Sequence, residues 1–156
     1  MKKIALNPLR THLALFALLA CASGIAAGEA PDEQVRVIAP AQLDYRLDPK
    51  VPGIGIAVVA GDPKSGPYTI RARFAPNTQA APHRHPDTRT VTVLGGTYYF
   101  AQGEQFDPAK LQPHTPGTVL IVPAGTPHFS AARGEETVVQ ESGVGPTGLE
   151  LVQPKR

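Results

Sequence analysis

Proline and glycine punctuate this chain densely and regularly, as they do in all-β domains of short strands. The sequence contains 17 Pro and 15 Gly among 156 residues. Proline breaks a helix and glycine weakens it, whereas short strands joined by tight turns accommodate both. The segments between these residues are apolar or alternate between apolar and polar side chains. The chain is therefore predicted to be all-β, and its length favours one domain.

Seven segments are predicted as strands, with no crossover helix between them. Residues 68–74 alternate, so that Arg71 and Arg73 face away from the apolar side chains of the same strand. Gly95 and Gly96 lie between two other segments and predict a tight two-residue hairpin, because both can adopt positive φ. Strands at this spacing favour a small barrel or a double-sheet jelly roll. The remaining segments are 54–59, 90–94, 97–100, 118–122, 137–141 and 148–152.

A single helical turn is predicted at residues 107–111. Asp107 can accept hydrogen bonds from free N–H groups at the start of the turn, and Pro108 loses no hydrogen bond at the first helical position. We expect the barrel to span residues 51–154. Residues 23–50 are expected to form an N-terminal arm or an edge strand.

Residues 1–22 are typical of an export signal. They contain three basic and no acidic residues, continue with an apolar run at 13–20, and end on Ala20, Cys21 and Ala22, which fit the Ala-x-Ala cleavage rule. The apolar run is too short to span a bilayer, and no later stretch is apolar enough to do so. We therefore expect a periplasmic or secreted protein. The alternative is a structural N-terminal helix, although nothing that follows offers it a partner face.

The single cysteine, Cys21, leaves two interpretations. One cysteine excludes an internal disulfide, even though export would permit one. Residues 18–21 resemble a bacterial lipoprotein cleavage box, in which Cys21 would carry a lipid anchor. Leu19 is untypical of that box, so the alternative is that Cys21 is an ordinary apolar residue of the signal.

The charge of the chain gives no reason to expect nucleic acid or an anionic membrane as a partner. The full sequence has a formal net charge of +2, from 15 Lys and Arg and 13 Asp and Glu. Removing residues 1–22 takes away three basic residues, which leaves 12 against 13 and a net charge of −1. Basic clusters are absent from the rest of the sequence, so neither of these partners is expected.

Three of the five histidines are placed as metal ligands would be. His83 and His85 lie two residues apart, so in a strand they point to the same face and can converge on one divalent ion. His128 follows a Pro/Gly turn that would set it at the start of a strand. The alternative is that these are exposed histidines of a proline-rich loop and a plain hairpin. His114 has no partner at ligand spacing and is expected to be solvated.

These two histidine segments resemble the paired motifs of the cupin family. The first cupin motif runs Gly, five residues, His-x-His, three or four residues, Glu, six residues, Gly. Its positions in this sequence are Asn77, His83, His85, Arg89 and Gly96. The second motif runs Gly, five residues, Pro-x-Gly, two residues, His, three residues, Asn. Its positions here are Gly117, Pro123, Gly125, His128 and Ala132.

The resemblance covers residues 51–154 and is to small single-domain bacterial cupins. It implies a single cupin-type jelly-roll β-barrel in which His83, His85 and His128 bind one divalent transition metal. Imidazole suits several metals, so zinc, iron, manganese, copper and nickel all stay open. The family also suggests an oxygenase- or isomerase-type enzyme acting on a small organic molecule, and a homodimer formed through the sheets.

Arg89 stands where the cupin motif has a metal-binding Glu. A guanidinium about 4 Å from a divalent ion would be repelled by roughly 8 kcal/mol at an effective dielectric constant of 20. Arg89 could turn out to solvent or pair with Asp87, leaving a three-histidine site with an open position. It could instead face inward without a metal and offer its charge to a carboxylate ligand.

A carboxylate from elsewhere could replace the missing Glu. Asp87 has the right strand parity and ranks first, while Glu104 lies in a turn that is expected to be solvated. Glu141 and Gln140 lie on opposite faces of one strand, and the sequence does not say which face looks inward. Asp87 and Arg89 are therefore the expected lining residues beside the three histidines.

Two classes of function fit these observations. The first is a metal-dependent enzyme, and the second is a non-catalytic module that binds or senses a small molecule such as a carboxylate. The sequence has no Ser or Cys nucleophile in a recognisable frame and no glycine-rich phosphate loop with a lysine. Tyr98, Tyr99 and Phe100 alternate in a strand, so some of them face the barrel, as core or as the wall of a ligand cavity.

Overall fold

The computed structural model of the protein describes residues 34–153. From Val37 onward these residues belong to one compact unit. The export segment predicted at residues 1–22, including His12 and Cys21, lies outside the described residues. None of the described helices is long and apolar enough to cross a membrane.

The described residues form eleven strands in two antiparallel sheets, which confirms the prediction of an all-β jelly roll. The six-stranded sheet has the order β1 (Arg46–Leu47), β2 (Ile54–Gly61), β3 (Pro67–Phe74), β10 (Thr137–Val144), β5 (Arg89–Gly95) and β8 (Val119–Val122). The five-stranded sheet has the order β11 (Glu150–Leu151), β4 (Gln79–Arg84), β9 (His128–Ala132), β6 (Tyr98–Gln102) and β7 (Gln112–His114). Every pairing is antiparallel.

The core lies between the inner faces of the two sheets. In β3 the apolar side chains at alternate positions are buried, whereas Arg71 and Arg73 point outward, as the alternation predicts. Phe74 from one sheet meets Tyr98 from the other edge to face, with ring centroids 5.5 Å apart. The central strand β10 pairs with both β3 and β5, and its Val139 is completely buried.

The predicted hairpin at Gly95 and Gly96 is wrong. β5 and β6 lie in different sheets, so the two glycines carry the chain from one sheet to the other. Gly96 has a φ of +66°, and a Cβ at this position would lie 2.2 Å from the backbone oxygen of Glu136. Glycine is therefore required here because two backbone segments approach closely. In the sequence, a glycine required for this reason looks the same as one required by a hairpin turn.

The helical turn predicted at residues 107–111 is a single hydrogen-bonded turn. Lys110 N–H donates to the carbonyl of Asp107 at 3.1 Å, and Ala109 N–H donates to the Asp107 side chain at 3.0 Å. The turn does not continue into a helix, because β7 begins at Gln112. Within the described residues, the one 3-10 helix lies at Pro40–Gln42.

Two strands at the ends of the six-stranded sheet are exposed. β1 pairs only with β2, so part of the 23–50 segment forms an edge strand. β8 pairs only with β5, and its Val119 and Ile121 are 56% and 73% exposed. These two side chains point away from the core, while Val122 at the end of the strand is buried.

Candidate metal centre and its cavity

Three histidines meet on the inner face of the five-stranded sheet. His83 in β4 pairs directly with His128, the first residue of β9, and His85 follows the end of β4. The ring centroids are 4.3 Å apart for His83 and His128, 4.9 Å for His83 and His85, and 5.2 Å for His85 and His128. One nitrogen of each ring lies within 4.8 Å of the others. His114 lies in the edge strand β7 and is not part of this group.

A tight turn before β9 fixes the position of His128. Thr126 N–H donates to the carbonyl of Pro123 at 3.2 Å, and Gly125 has a φ of +72°. A positive φ at the third residue of the turn is the conformation that favours glycine. Gly125 N–H also donates to the carbonyl of His85 at 2.8 Å, so the same turn joins two of the three histidine positions.

Backbone carbonyls fix the tautomer of all three imidazoles. Nδ1 of His83 contacts the oxygen of Ala81 at 2.7 Å, Nδ1 of His85 that of Gly148 at 2.6 Å, and Nδ1 of His128 that of Thr126 at 2.9 Å. A carbonyl oxygen only accepts, so each Nδ1 carries the proton and each neutral ring keeps a lone pair on Nε2. Protein histidines that bind metals are commonly oriented in this way.

Burial keeps these imidazoles neutral. Desolvation, followed by the charge of Arg89, lowers the pKa of His85 to about 3. Desolvation, followed by the neighbouring His83, lowers the pKa of His128 to about 3. The pKa of His83 is also lowered, chiefly by desolvation. Neutral imidazole is the form that coordinates metals, so the site is ready for an ion at neutral pH without first losing protons.

The cavity in front of the histidines is mostly apolar. It has a volume of about 220 Å³ and is lined by residues of both sheets, with aliphatic and aromatic side chains in the majority. Phe100 stacks on His128, with centroids 5.2 Å apart and an angle of 29° between the rings. Tyr98 and Phe100 face the cavity, whereas Tyr99 lies on the opposite face, where its ring contacts the guanidinium of Arg133.

Arg89 is buried between two carboxylates. It is 4% exposed, and one terminal nitrogen donates to Glu141 at 2.6 Å. The other donates to Asp87 at 2.9 Å and to the hydroxyl of Thr147 at 2.5 Å. Nε of Arg89 is shielded from solvent and has no hydrogen-bond partner. The side chain thus lines the cavity and pairs with Asp87, instead of turning out to solvent.

Asp87 lies behind Arg89. Its carboxylate accepts hydrogen bonds from Tyr68 and Thr147, both at 2.5 Å, and it is not among the residues that line the cavity. Burial acts to raise the pKa of Asp87, but the bonds from Thr147 and Tyr68 and the charge of Arg89 lower it below the usual value. Two other carboxylates line the cavity, those of Glu141 and Asp48, and Glu141 is the one that pairs with Arg89.

This arrangement lowers the electrostatic cost of having Arg89 beside a metal ion. Its single positive charge faces two carboxylates, so the group formed by Arg89, Asp87 and Glu141 has a net charge of −1. The repulsion calculated for an isolated guanidinium therefore does not apply. With three aligned Nε2 atoms and no net positive charge beside them, the residues present fit a three-histidine metal site with an open position.

The loop between β10 and β11, residues 145–149, forms one wall of the cavity. Gly145 N–H donates to the carbonyl of Gly66 and Thr147 N–H to that of Pro63, both at 2.8 Å. Lys50 Nζ donates to the carbonyl of Leu149 at 2.6 Å. The loop supplies the hydroxyl that contacts Arg89 and the Gly148 carbonyl that holds His85.

Sequence reasoning missed the contributions of this loop and left Glu141 undecided. Thr147 is 58 residues from Arg89 and 60 from Asp87, and nothing in the local sequence indicates such a contact. Val138 and Val139 are both apolar, so the strand that carries Glu141 lacks the alternation that would show its inward face. The pairing of Glu141 with Val91 of β5 gives that orientation in the structure.

Comparison with known proteins supports the presence of a cupin domain in this chain. Residues 70–140, which include all three histidines, match the Cupin_2 family, described as a cupin domain. No curated protein matches the sequence.

Three solved structures illustrate the shared fold. The polyketide cyclase RemF from Streptomyces resistomycificus has 15% identity and a TM-score of 0.65, over 79% of this chain and 89% of that one. A cupin-2 domain protein from Rhodospirillum rubrum has 14% identity and a TM-score of 0.60, over 79% and 82%. A sugar phosphate isomerase of the cupin superfamily from Silicibacter pomeroyi has 17% identity and a TM-score of 0.57, over 70% and 76%. At these identities the likeness concerns the fold alone.

Proposed function

We propose that this protein is an exported cupin that binds one divalent transition metal and acts on a small organic molecule in its cavity. The observation that carries the proposal is the set of three hydrogen bonds from Nδ1 of His83, His85 and His128 to backbone carbonyls. They leave three Nε2 lone pairs at one place in the cavity, which is the arrangement in which histidines coordinate a metal.

The reaction is of the isomerase or oxygenase type. A bound metal would supply Lewis-acid activation, or a binding position for an oxygen atom of the substrate, at the position that the histidines leave open. The chain's own residues hold and shield the reacting molecule. Phe100 and the aliphatic wall exclude water, and Glu141 presents a carboxylate fixed by Arg89.

The alternative is a module that binds a small molecule without turnover. Its carboxylate-binding form would require the guanidinium of Arg89 to be free for the ligand. Both terminal nitrogens of Arg89 already donate to Glu141, Asp87 and Thr147, which favours the metal-centred function. A binding module without turnover would still take up metal, so turnover of a substrate separates the two.

The proposal is tested by metal analysis of protein purified without chelator, followed by zinc titration of metal-free protein. One equivalent of a transition metal is expected. His128→Ala should weaken zinc binding at least about 10-fold, because one of three ligands is lost. His114→Ala is the matched control, since His114 lies in β7 outside the group, and it should bind as the parent does. Equal zinc affinity of the parent and His128→Ala would contradict the three-histidine site.

A further inference from the structure

The walls of the cavity restrict the kind of molecule that it can hold. Aliphatic side chains of β2, β3 and β5 line it, among them Ile56, Val58, Ile70 and Val91. The loop between β10 and β11 adds Leu149. A sugar-like molecule with many hydroxyl groups would leave several of them facing these side chains without hydrogen-bond partners, which costs free energy for each group.

The charged groups at the cavity do not offer a place for a second anionic group on the ligand. Among the described residues that line it, Arg89 is the one permanently cationic side chain, and its terminal nitrogens are engaged by Glu141, Asp87 and Thr147. Glu141 and Asp48 also line the cavity, and both are acidic. Nε of Arg89 has no hydrogen-bond partner, but it is shielded from solvent. An anionic group placed away from the metal would therefore face the net charge of −1 of Arg89, Asp87 and Glu141.

The cavity is small. About 220 Å³ is below the range of about 300–1,000 Å³ that is typical of pockets for drug-sized ligands. Several polar lining groups are connected to one another, because the Gly148 carbonyl holds His85 and the neighbouring Thr147 contacts Arg89, which pairs with Glu141. A ligand is thus offered polar partners in one region and apolar walls elsewhere.

We infer that this site takes a small, largely apolar molecule that binds the metal through oxygen atoms at one end and carries no second anionic group. This inference rests on the proposed metal site and adds to it the chemical class of the ligand. The apolar wall then determines specificity. Many ligands share a metal-binding end, so the wall distinguishes them by the part of the molecule that does not bind the metal.

Three probes with the same metal-binding head and different bodies test the inference. Acetohydroxamic, benzohydroxamic and N-hydroxysuccinamic acid carry one hydroxamate each, attached to a methyl group, a phenyl ring or a chain with a carboxylate. Zinc binding to the metal-free protein is measured first by calorimetric titration, and the probes are then titrated into the zinc-loaded protein. Benzohydroxamic acid should bind at least about 10-fold more tightly than acetohydroxamic acid, because the ring buries apolar surface. N-hydroxysuccinamic acid should bind no more tightly than the methyl compound.

Two matched valine variants assign the preference to the cavity wall. Val58 in β2 and Val119 in β8 are 55% and 56% exposed, but only Val58 lines the cavity. Val58→Asn should reduce the ratio of phenyl to methyl affinity at least about threefold, whereas Val119→Asn should leave it unchanged. Zinc affinity serves as the folding control for both, since neither valine belongs to the histidine group or to its hydrogen-bond partners.

Each outcome decides one of the two proposals. Absence of zinc binding overturns the proposed function and this inference with it. Zinc binding combined with equal affinities for the phenyl and methyl probes overturns this inference alone. So does tighter binding of the carboxylate probe than of the methyl probe, or an equal effect of Val58→Asn and Val119→Asn.

Discussion

Arg89 determines the electrostatics of the site. It stands where the cupin motif has a Glu, and the structure buries it between Asp87 and Glu141. The negative charge expected at this position is thus still present, but it comes from Glu141 on the neighbouring strand β10 and is shared with Arg89. The exchange of charges between the adjacent strands β5 and β10 therefore keeps the group anionic.

Replacing Arg89 by an acidic residue should destabilise the metal-free protein and strengthen metal binding. Arg89→Glu would place three carboxylates together in a buried position. Breaking a buried ion pair in this way costs about 3–5 kcal/mol of unfolding free energy. Added zinc should recover part of this loss and bind more tightly than to the parent, because the substitution makes the charge of the group beside the histidines more negative than −1. Denaturant unfolding with and without zinc measures both effects.

Arg71→Glu is the control for this substitution. Arg71 lies on the outer face of β3 and donates to Gln140 at 3.2 Å, away from the cavity. A change there should alter the unfolding free energy by about 0.5 kcal/mol or less, with no effect on zinc affinity. If the two variants behaved alike, Arg89 would have no special role in the site.

The stability of the metal-free protein should depend on pH through His85 and His128. Their pKa values are about 3 in the folded protein, below the ordinary value of 6.5, so at intermediate pH only the unfolded chain takes up these protons. The unfolding free energy should therefore fall as pH decreases from about 6.5 towards about 3. Between pH 6.5 and 5 each histidine contributes up to about 2 kcal/mol, at 1.36 kcal/mol per pH unit.

Urea unfolding of chelator-treated protein at pH 7.5 and pH 5.0 measures this dependence. His85→Gln should reduce the difference between the two pH values, because one buried base is removed. His114→Gln should leave the difference as it is in the parent. A parent protein equally stable at both pH values would show that these histidines do not resist protonation.

The loop at residues 145–149 is the element that joins the metal centre to the Arg89 group. Thr147 is its main side-chain contact, since its hydroxyl accepts from Arg89 and donates to Asp87, both at 2.5 Å. Thr147→Val keeps the shape of the side chain and removes one hydrogen bond from each of two buried charged groups, those of Arg89 and Asp87. We expect a loss of about 1–3 kcal/mol of unfolding free energy.

Chemical denaturation measures this loss, and Thr69→Val provides the comparison. Thr69 also makes a hydroxyl contact, to Ser142 at 3.0 Å, but it lies on the outer face of the six-stranded sheet. Its replacement should cost less, because water can satisfy the groups left behind. An equally small loss for both variants would argue against a structural role for Thr147.

The strands and turns that could be predicted from the sequence are those defined by a pattern within a few neighbouring residues. The alternation in residues 68–74 predicted β3, and the turn at Pro123 predicted the position of His128. β4 was missed as a strand because Pro82 lies within it, and the connection at Gly96 was taken for a hairpin because its positive φ has the same sequence requirement. Which strands pair, and therefore that Glu141 lies beside Arg89, depends on contacts between distant segments.

At the scale of the whole molecule, we propose that the mature protein begins after about residue 22, either free or anchored by a lipid at Cys21. The basic start and apolar run of the first 22 residues support this. Intact mass of the protein isolated from its native host should lack this segment. A mass equal to that of the full sequence would contradict export, and a mass that includes an acylated Cys21 would indicate the lipid anchor.

The hydrogen bond between His85 and the Gly148 carbonyl couples the affinity for the metal ion to the position of the loop at residues 145–149. With the loop in place, the ring keeps its proton on Nδ1 and offers Nε2 to the ion. If Gly148 moves away, the ring is free to adopt the other tautomer, which cannot coordinate through Nε2. The affinity for the ion should therefore be higher when the loop is in this position. By the same free energy, a bound ion should stabilise the loop in this position.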